Sequence, residues 1–169
     1  LAGLDQQQVP VLVGTFGKAF GTFGAFVAGS DELLEMIVQY SRSYIYTTAP
    51  PPAIAEATLV ALNLIQTESW RREKLQLLVQ RFIQGAKQLG LSATNSVGPI
   101  QAVMLGSAEK AVKVSEALWQ LGIVIPAIRP PTVPENSARL SISATHTEQQ
   151  IDRLLDALAD TCKRPDNET

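Results

Sequence analysis

Residues 11–28 constrain the fold more than any other stretch of this chain. A β-type apolar run, Val11 to Val13, leads into a loop with four glycines, Gly14, Gly17, Gly21 and Gly24. The next strand-like run, Ala25 to Ala28, follows at once. Glycine tolerates the left-handed backbone that tight turns require, so the stretch reads as strand, loop and strand. The loop carries one charged residue, Lys18, between Phe16 and Phe20. A lysine among glycines and phenylalanines is poorly placed as a solvated surface charge. It is expected to sit in a partly apolar pocket, where the charged amine is disfavoured and its pKa falls. Such an amine forms Schiff bases with carbonyl compounds. The plainer alternative is a turn with an incidental lysine.

The elements around this loop follow from local signals. Ser30 suits the N-cap of a helix from Asp31 to about Ser41, with Asp31 and Glu32 in the first turn. Tyr44–Thr48 reads as a short extended segment, stopped by Pro50–Pro52, which open a helix from Ala53 to about Thr67. The clearest periodic element runs from about Ser69 to Leu89. Leu75, Leu78, Val79, Phe82, Ala86 and Leu89 form one apolar stripe, and Gly90 is the expected stop. Strand-like runs at Ile100–Leu105, Ile123–Ile128 and Arg139–Ala144 then alternate with helices at about Ala108–Leu121 and Glu148–Thr161. Thr147 and Gln150 have capping-box spacing ahead of the last helix. The change of composition predicts a boundary near Gly90, followed by an α+β layer of about three strands covered by helices.

Composition narrows the function. The 169 residues are 46% hydrophobic and carry a net charge of −2 with no basic block. That argues against nucleic acid or an anionic membrane surface as a partner. No apolar run is long enough to span a bilayer. The single cysteine, Cys162, has no internal partner and fits a reducing, cytoplasmic setting. No Walker loop, Ser-His-Asp order or metal-ligand spacing is present. The only histidine, His146, reads as a loop residue before the last helix, and Trp70 and Trp119 read as packing residues on helices.

Several separated motifs point to a family. Thr15-Phe-Gly-Lys18-Ala-Phe-Gly21, Tyr44-Ile-Tyr-Thr-Thr48 ahead of Pro50–Pro52, Ala127-Ile-Arg-Pro-Pro-Thr-Val-Pro134 and Ala138-Arg-Leu140 occur in order. Together they resemble the α-oxoamine synthases, pyridoxal-phosphate enzymes of the aspartate-aminotransferase fold type. The resemblance runs from about Val11 to Leu158. It implies an α/β fold, the C-terminal part of a fold-type I pyridoxal-phosphate-dependent transferase. Residues 1–68 would be a remnant of the large cofactor domain, 69–90 a connecting helix, and 91–169 a small C-terminal α+β domain. It also implies a longer enzyme, because relatives carry an earlier segment with a ring-stacking His and an Asp for the pyridine nitrogen.

The implied activity is acyl transfer: an amino acid condenses with an acyl-CoA and loses carbon dioxide. The Ala127–Pro134 run is most like the member that opens biotin ring assembly from alanine and pimeloyl-CoA. Glycine C-acetyltransferase and 5-aminolevulinate synthase remain alternatives within the family, and a non-catalytic assembly module remains one outside it.

Site residues follow from the same resemblance. Lys18 would hold pyridoxal phosphate and then move the substrate's α-proton. Thr15 would donate to the phosphate or to the cofactor's phenolic oxygen. Thr47 and Thr48 resemble a hydroxyl pair that reaches the partner subunit's cofactor phosphate, which implies a homodimer with shared active sites. Arg129, on a proline-stiffened turn, is a candidate for binding a carboxylate bidentately, or for pairing with Glu135. Arg139 lies in Ala138-Arg-Leu-Ser141, where the family usually reads Arg-Leu-Arg. Ser141 stands in place of the usual carboxylate anchor, and on a strand Arg139 shares its face.

Overall fold

The computed structural model describes residues 3–94, 96–128, 130–132 and 137–163. The chain divides into two compact units, Leu1–Glu68 and Ser69–Thr169.

The first unit opens with an antiparallel pair, β1 (Leu12–Thr15) and β2 (Ala25–Ala28), with Leu12 opposite Ala28 and Thr15 opposite Ala25. Helix α1 (Asp31–Tyr40) starts where its cap predicts, with the Ser30 hydroxyl accepting the Leu33 N–H at 3.3 Å. A one-turn helix, α2 (Arg42–Ile45), comes next, and α3 (Pro52–Thr67) opens on a proline. The extended segment expected at Tyr44–Thr48 is therefore not formed. The Ser41 carbonyl accepts the N–H groups of Tyr44 and Ile45, and the Arg42 carbonyl accepts that of Tyr46. These bonds satisfy the backbone locally. The β-preference of Tyr and Ile expresses itself only against a neighbouring strand, and none pairs here among the described residues.

No described side chain of this unit is buried. Leu59 and Val60 on α3 are 60% and 61% exposed, and Met36, Tyr40 and Tyr46 are also largely open. The unit therefore has strands, caps and helices without a core of its own.

The second unit holds every buried residue that is described. It runs α4 (Trp70–Gln88), β3 (Ile100–Met104), α5 (Ala108–Gln120), β4 (Ala127–Ile128), β5 (Ser137–Ser141) and α6 (Glu148–Lys163). The sheet has the order β3-β5-β4 and is antiparallel throughout, with Ile100 opposite Ser141 and Ala127 opposite Ala138. The third strand is shorter than its apolar run. Pro126 has no N–H to give a ladder, although its carbonyl accepts from Arg139 at 3.1 Å. β5 also begins earlier than expected, at Ser137, and the N–H of Ile142 is already turned to the Pro99 carbonyl at 2.9 Å.

The core joins Leu78, Val79, Phe82 and Ala86 of α4 with Ala111, Val114 and Leu118 of α5 and with Ile151, Leu155 and Leu158 of α6. Each large aliphatic or aromatic side chain withdrawn from water contributes on the order of 1.5–3 kcal/mol. The division between Glu68 and Ser69 leaves α4 with the second unit, and its apolar stripe belongs to this core. Gly90 still ends α4, with φ +70°. Leu91 N–H bonds the Ala86 carbonyl and Gly90 N–H the Lys87 carbonyl, a complete Schellman motif. Thr147 and Gln150 form the predicted capping box in both directions, at 2.9 and 3.2 Å. Trp70 and Trp119 do not pack inside. They are 50% and 63% exposed, and the Arg71 guanidinium lies 4.8 Å from the Trp70 ring. Half-burial pushes the Cys162 thiol up.

Candidate active site

The lysine loop is built by the turn chemistry its glycines allow. The β1–β2 ladder continues one step past the strands, with Phe16 N–H bonding the Gly24 carbonyl at 2.9 Å. Thr22 N–H then returns to the Phe16 carbonyl at 3.0 Å, and Gly21 N–H closes on the Lys18 carbonyl at 2.9 Å. Gly21 and Gly24 take φ values of +65° and +103°, a backbone that side chains with a Cβ rarely adopt. Gly14 has a different reason. The Phe26 ring lies across it, and a Cβ at Gly14 would stand 2.4 Å from that ring.

Three phenylalanines brace the loop. Phe16 stacks on Phe26 with centroids 5.2 Å apart and meets Phe20 edge-on at 5.1 Å. Lys18 is exposed, so the described residues of this unit do not by themselves enclose it. The apolar side chains that suggested the pocket pack on one another instead. Thr15, at the end of β1, is exposed as well. So are Thr47 and Thr48, in the stretch between α2 and α3. The side chains of Thr15, Lys18, Thr47 and Thr48 engage no partner among the described residues. A primary amine can take a carbonyl carbon, and a free hydroxyl can donate to a phosphate oxygen.

Two residues of the loop's surroundings carry no local sequence signal. Thr22 and Thr58 of α3 meet hydroxyl to hydroxyl at 2.9 Å. Their separation of 36 positions hides the pairing from any periodicity.

Arg139 lies on β5 in the second unit. Exposure alternates from Ala138 to Ser141, so Arg139 and Ser141 share the open side there while Ala138 and Leu140 point into the core. Arg129 and its alternative partner Glu135 lie outside the described residues. Ser141 borders a cavity of about 310 Å³ that is also lined by His146, Gln150 and Arg153. Arg153 thus lines the same cavity as Ser141, with its guanidinium donating to the Leu121 carbonyl. The His146 ring accepts the Ser143 N–H through Nδ1 at 3.0 Å, which keeps His146 in the turn before α6, as its position predicted. Among the described residues no cluster of His, Cys, Asp or Glu could hold a metal ion, and no helix is long and apolar enough to cross a membrane.

Comparison with known proteins extends this picture. The family model for aminotransferase class I and II matches residues 1–158. An 8-amino-7-oxononanoate synthase from Pseudomonas paraeruginosa is 56% identical over 164 residues, 96% of this chain and 41% of the relative. The chain thus spans about two fifths of the length of the curated relatives it matches. Among solved structures, 8-amino-7-oxononanoate synthase from Francisella tularensis superposes with a TM-score of 0.84 at 29% identity, covering 94% of this chain and 47% of that one. SPT with a PLP internal aldimine superposes with a TM-score of 0.85 at 31% identity, covering 91% of this chain and 40% of that one. These matches agree with the resemblance carried by the Lys18 loop and the motifs after it, and with the α/β fold expected from it.

Proposed function

The chain belongs to the aminotransferase class I and II family, and from that footing we propose that it is part of a pyridoxal-phosphate-dependent acyltransferase of the 8-amino-7-oxononanoate synthase kind. The substrates would be alanine and pimeloyl-CoA, with release of CoA and carbon dioxide, in biotin biosynthesis. The observation that carries the reading is Lys18, an uncommitted amine on a loop fixed by Gly21, Gly24 and three phenylalanines, in a chain 56% identical to a named synthase.

When bound, pyridoxal phosphate supplies an electron sink for the charge left at the amino acid's α-carbon. The chain's own residues do the rest. Lys18 anchors the cofactor through its amine. The same amine would also take the proton from the amino acid's α-carbon and return one. Thr15 donates its hydroxyl to the phosphate or the phenolic oxygen. Thr47 and Thr48 donate to the phosphate held by a second subunit, so the working form is a homodimer with shared sites. The exposed apolar side chains of the first unit, Leu59, Val60, Tyr40 and Tyr46 among them, support a protein surface that covers it. Arg139, with Arg129, holds the substrate carboxylate. The reading places the enzyme in the cytoplasm, which the lone Cys162 suits. By itself the 169-residue chain would be inactive, because a unit with no buried side chain among its described residues gives the cofactor no water-excluded site.

Borohydride reduction of the full-length protein loaded with pyridoxal phosphate, followed by peptide mapping, tests the assignment. The expected result is a pyridoxyl group on Lys18. A label on another lysine of an active preparation would overturn it.

A further inference from the structure

Thr58 has no role in the reading above, yet its hydroxyl joins α3 to the lysine loop. Its Oγ1 lies 2.7 Å from the Ile54 carbonyl of the preceding turn and 2.9 Å from Thr22 Oγ1. A hydroxyl has one proton, and a carbonyl only accepts. Thr58 therefore donates to Ile54 and accepts from Thr22, so the direction of the second bond is set: Thr22 gives its proton to Thr58. Thr22 is then held twice, by this bond and by its backbone N–H to the Phe16 carbonyl at 3.0 Å. It sits between Gly21 and Gly24, the two positive-φ points of the loop. These are the positions at which this backbone is freest to turn. The Phe16–Phe20–Phe26 cluster steadies the limb before and around Lys18, whereas the limb after it is tied by the Gly21–Lys18 closure, the Thr22 bonds and, at its end, the Gly24 carbonyl that accepts from Phe16.

We propose that Thr58 is a positioning residue that acts on Lys18 through Thr22, latching the returning limb of the loop to α3 so that the lysine amine is presented from a fixed backbone. The proposal rests on Lys18 being the cofactor-bearing residue. It goes beyond that assignment by naming a helix residue, outside the loop, on which the lysine's placement depends.

The test uses the full-length holoenzyme and three single variants. Thr58→Val keeps the branched shape and removes the acceptor. Thr58→Ser keeps the hydroxyl. Thr67→Val is the control, because Thr67 makes the same kind of back-bond on α3, to the Asn63 carbonyl at 2.8 Å, but is exposed and its hydroxyl makes no bond to the lysine loop. Hydrogen exchange of the peptide covering residues 16–24 is the readout independent of turnover. Loss of one hydrogen bond of ordinary strength speeds it by roughly three- to tenfold. The expected pattern is faster loop exchange in Thr58→Val, a fall in kcat of similar size with the amino-acid KM within about twofold, restoration in Thr58→Ser and no change in Thr67→Val. Thr22→Val should match Thr58→Val, and the double variant should be no worse than either single one. Unchanged loop exchange in Thr58→Val, or effects that add in the double variant, overturns the latch. Borohydride mapping of the same preparations separates this from the reading beneath it. A label on Lys18 with unchanged exchange refutes the latch alone, and a label elsewhere refutes the assignment of Lys18 and with it the latch's catalytic purpose.

Discussion

Arg81 grips both carboxylate oxygens of Asp152 across 71 positions of sequence, Nε to Oδ1 at 2.7 Å and Nη2 to Oδ2 at 2.8 Å. Its remaining terminal nitrogen reaches Glu148 at 2.9 Å. The fork ties α4 to the first turns of α6. A paired guanidinium of this geometry is more directional than an ordinary surface ion pair. The hydrogen bond from Arg81 holds the Asp152 carboxyl below its usual range and raises the guanidinium in turn.

A carboxyl whose folded pKa is depressed stabilises the fold above its unfolded pKa and loses that contribution as pH falls through the folded value. The stability difference between the parent chain and Asp152→Asn should therefore be constant at neutral pH and shrink on acidification below the ordinary aspartate range. Because the pair is exposed, added salt should shrink it too. Urea midpoints across a pH series measure this. A difference that widens in acid would contradict the assignment.

Gly85 of α4 packs directly against Leu155 of α6. A Cβ there would stand 2.3 Å from Leu155 Cδ1 and 3.3 Å from its Cγ. Alanine in place of glycine inside a helix ordinarily gains up to about 1 kcal/mol. Overpacking a filled core costs about 1–3 kcal/mol. Leu155 is buried, and its branch point as well as its tip must move. The second effect should win, and Gly85→Ala should destabilise by about 1 kcal/mol or more. Denaturant unfolding decides the sign, and a gain would mean that Leu155 turns aside freely.

Lys18→Ala removes the anchor and the proton-transfer group together. In the full-length enzyme it should lower the rate on the order of 10²-fold or more. Folding should be untouched, since the exposed side chain engages no described partner. Circular dichroism beside turnover separates the two effects.

Arg139 and Ser141 offer a paired test on one strand face. A charge-assisted hydrogen bond is worth about 1.5–3 kcal/mol, so losing the Arg139 contact should raise the amino-acid KM by about tenfold or more. Ser141→Arg should not lower that KM, because Arg153 already lines the cavity beside Ser141 and two guanidinium groups there repel. Kinetics against alanine and glycine check both. If Arg139→Ala leaves KM alone, this strand does not hold the carboxylate.

What the sequence could reveal is what short-range rules encode. Ser30, the Thr147–Gln150 box and Gly90 act within a turn of themselves, so their structures were legible. The α4 stripe needed only the helical period. The Lys18 loop was legible as strand, loop and strand because its glycines carry the turn chemistry. Tyr44–Thr48 was misread because β-preference depends on a neighbour that local sequence does not report. Thr22 with Thr58 and Arg81 with Asp152 were invisible for a related reason: each pair joins elements far apart in the chain. The exposure of Lys18 was missed because its aromatic neighbours satisfy one another.

The uneven burial of the two units also has a thermodynamic consequence. The heat-capacity change on unfolding scales with the apolar surface newly wetted. Most of that surface in this chain lies in the second unit, around Phe82, Leu118 and Leu158. In a calorimetric scan the step between folded and unfolded baselines should therefore come chiefly from residues 69–163, while Leu59 and Val60 on α3 are largely hydrated before and after the transition. A protein surface that covers those side chains would leave a calorimetric signature of its own, a negative heat-capacity change on association that grows with the area covered.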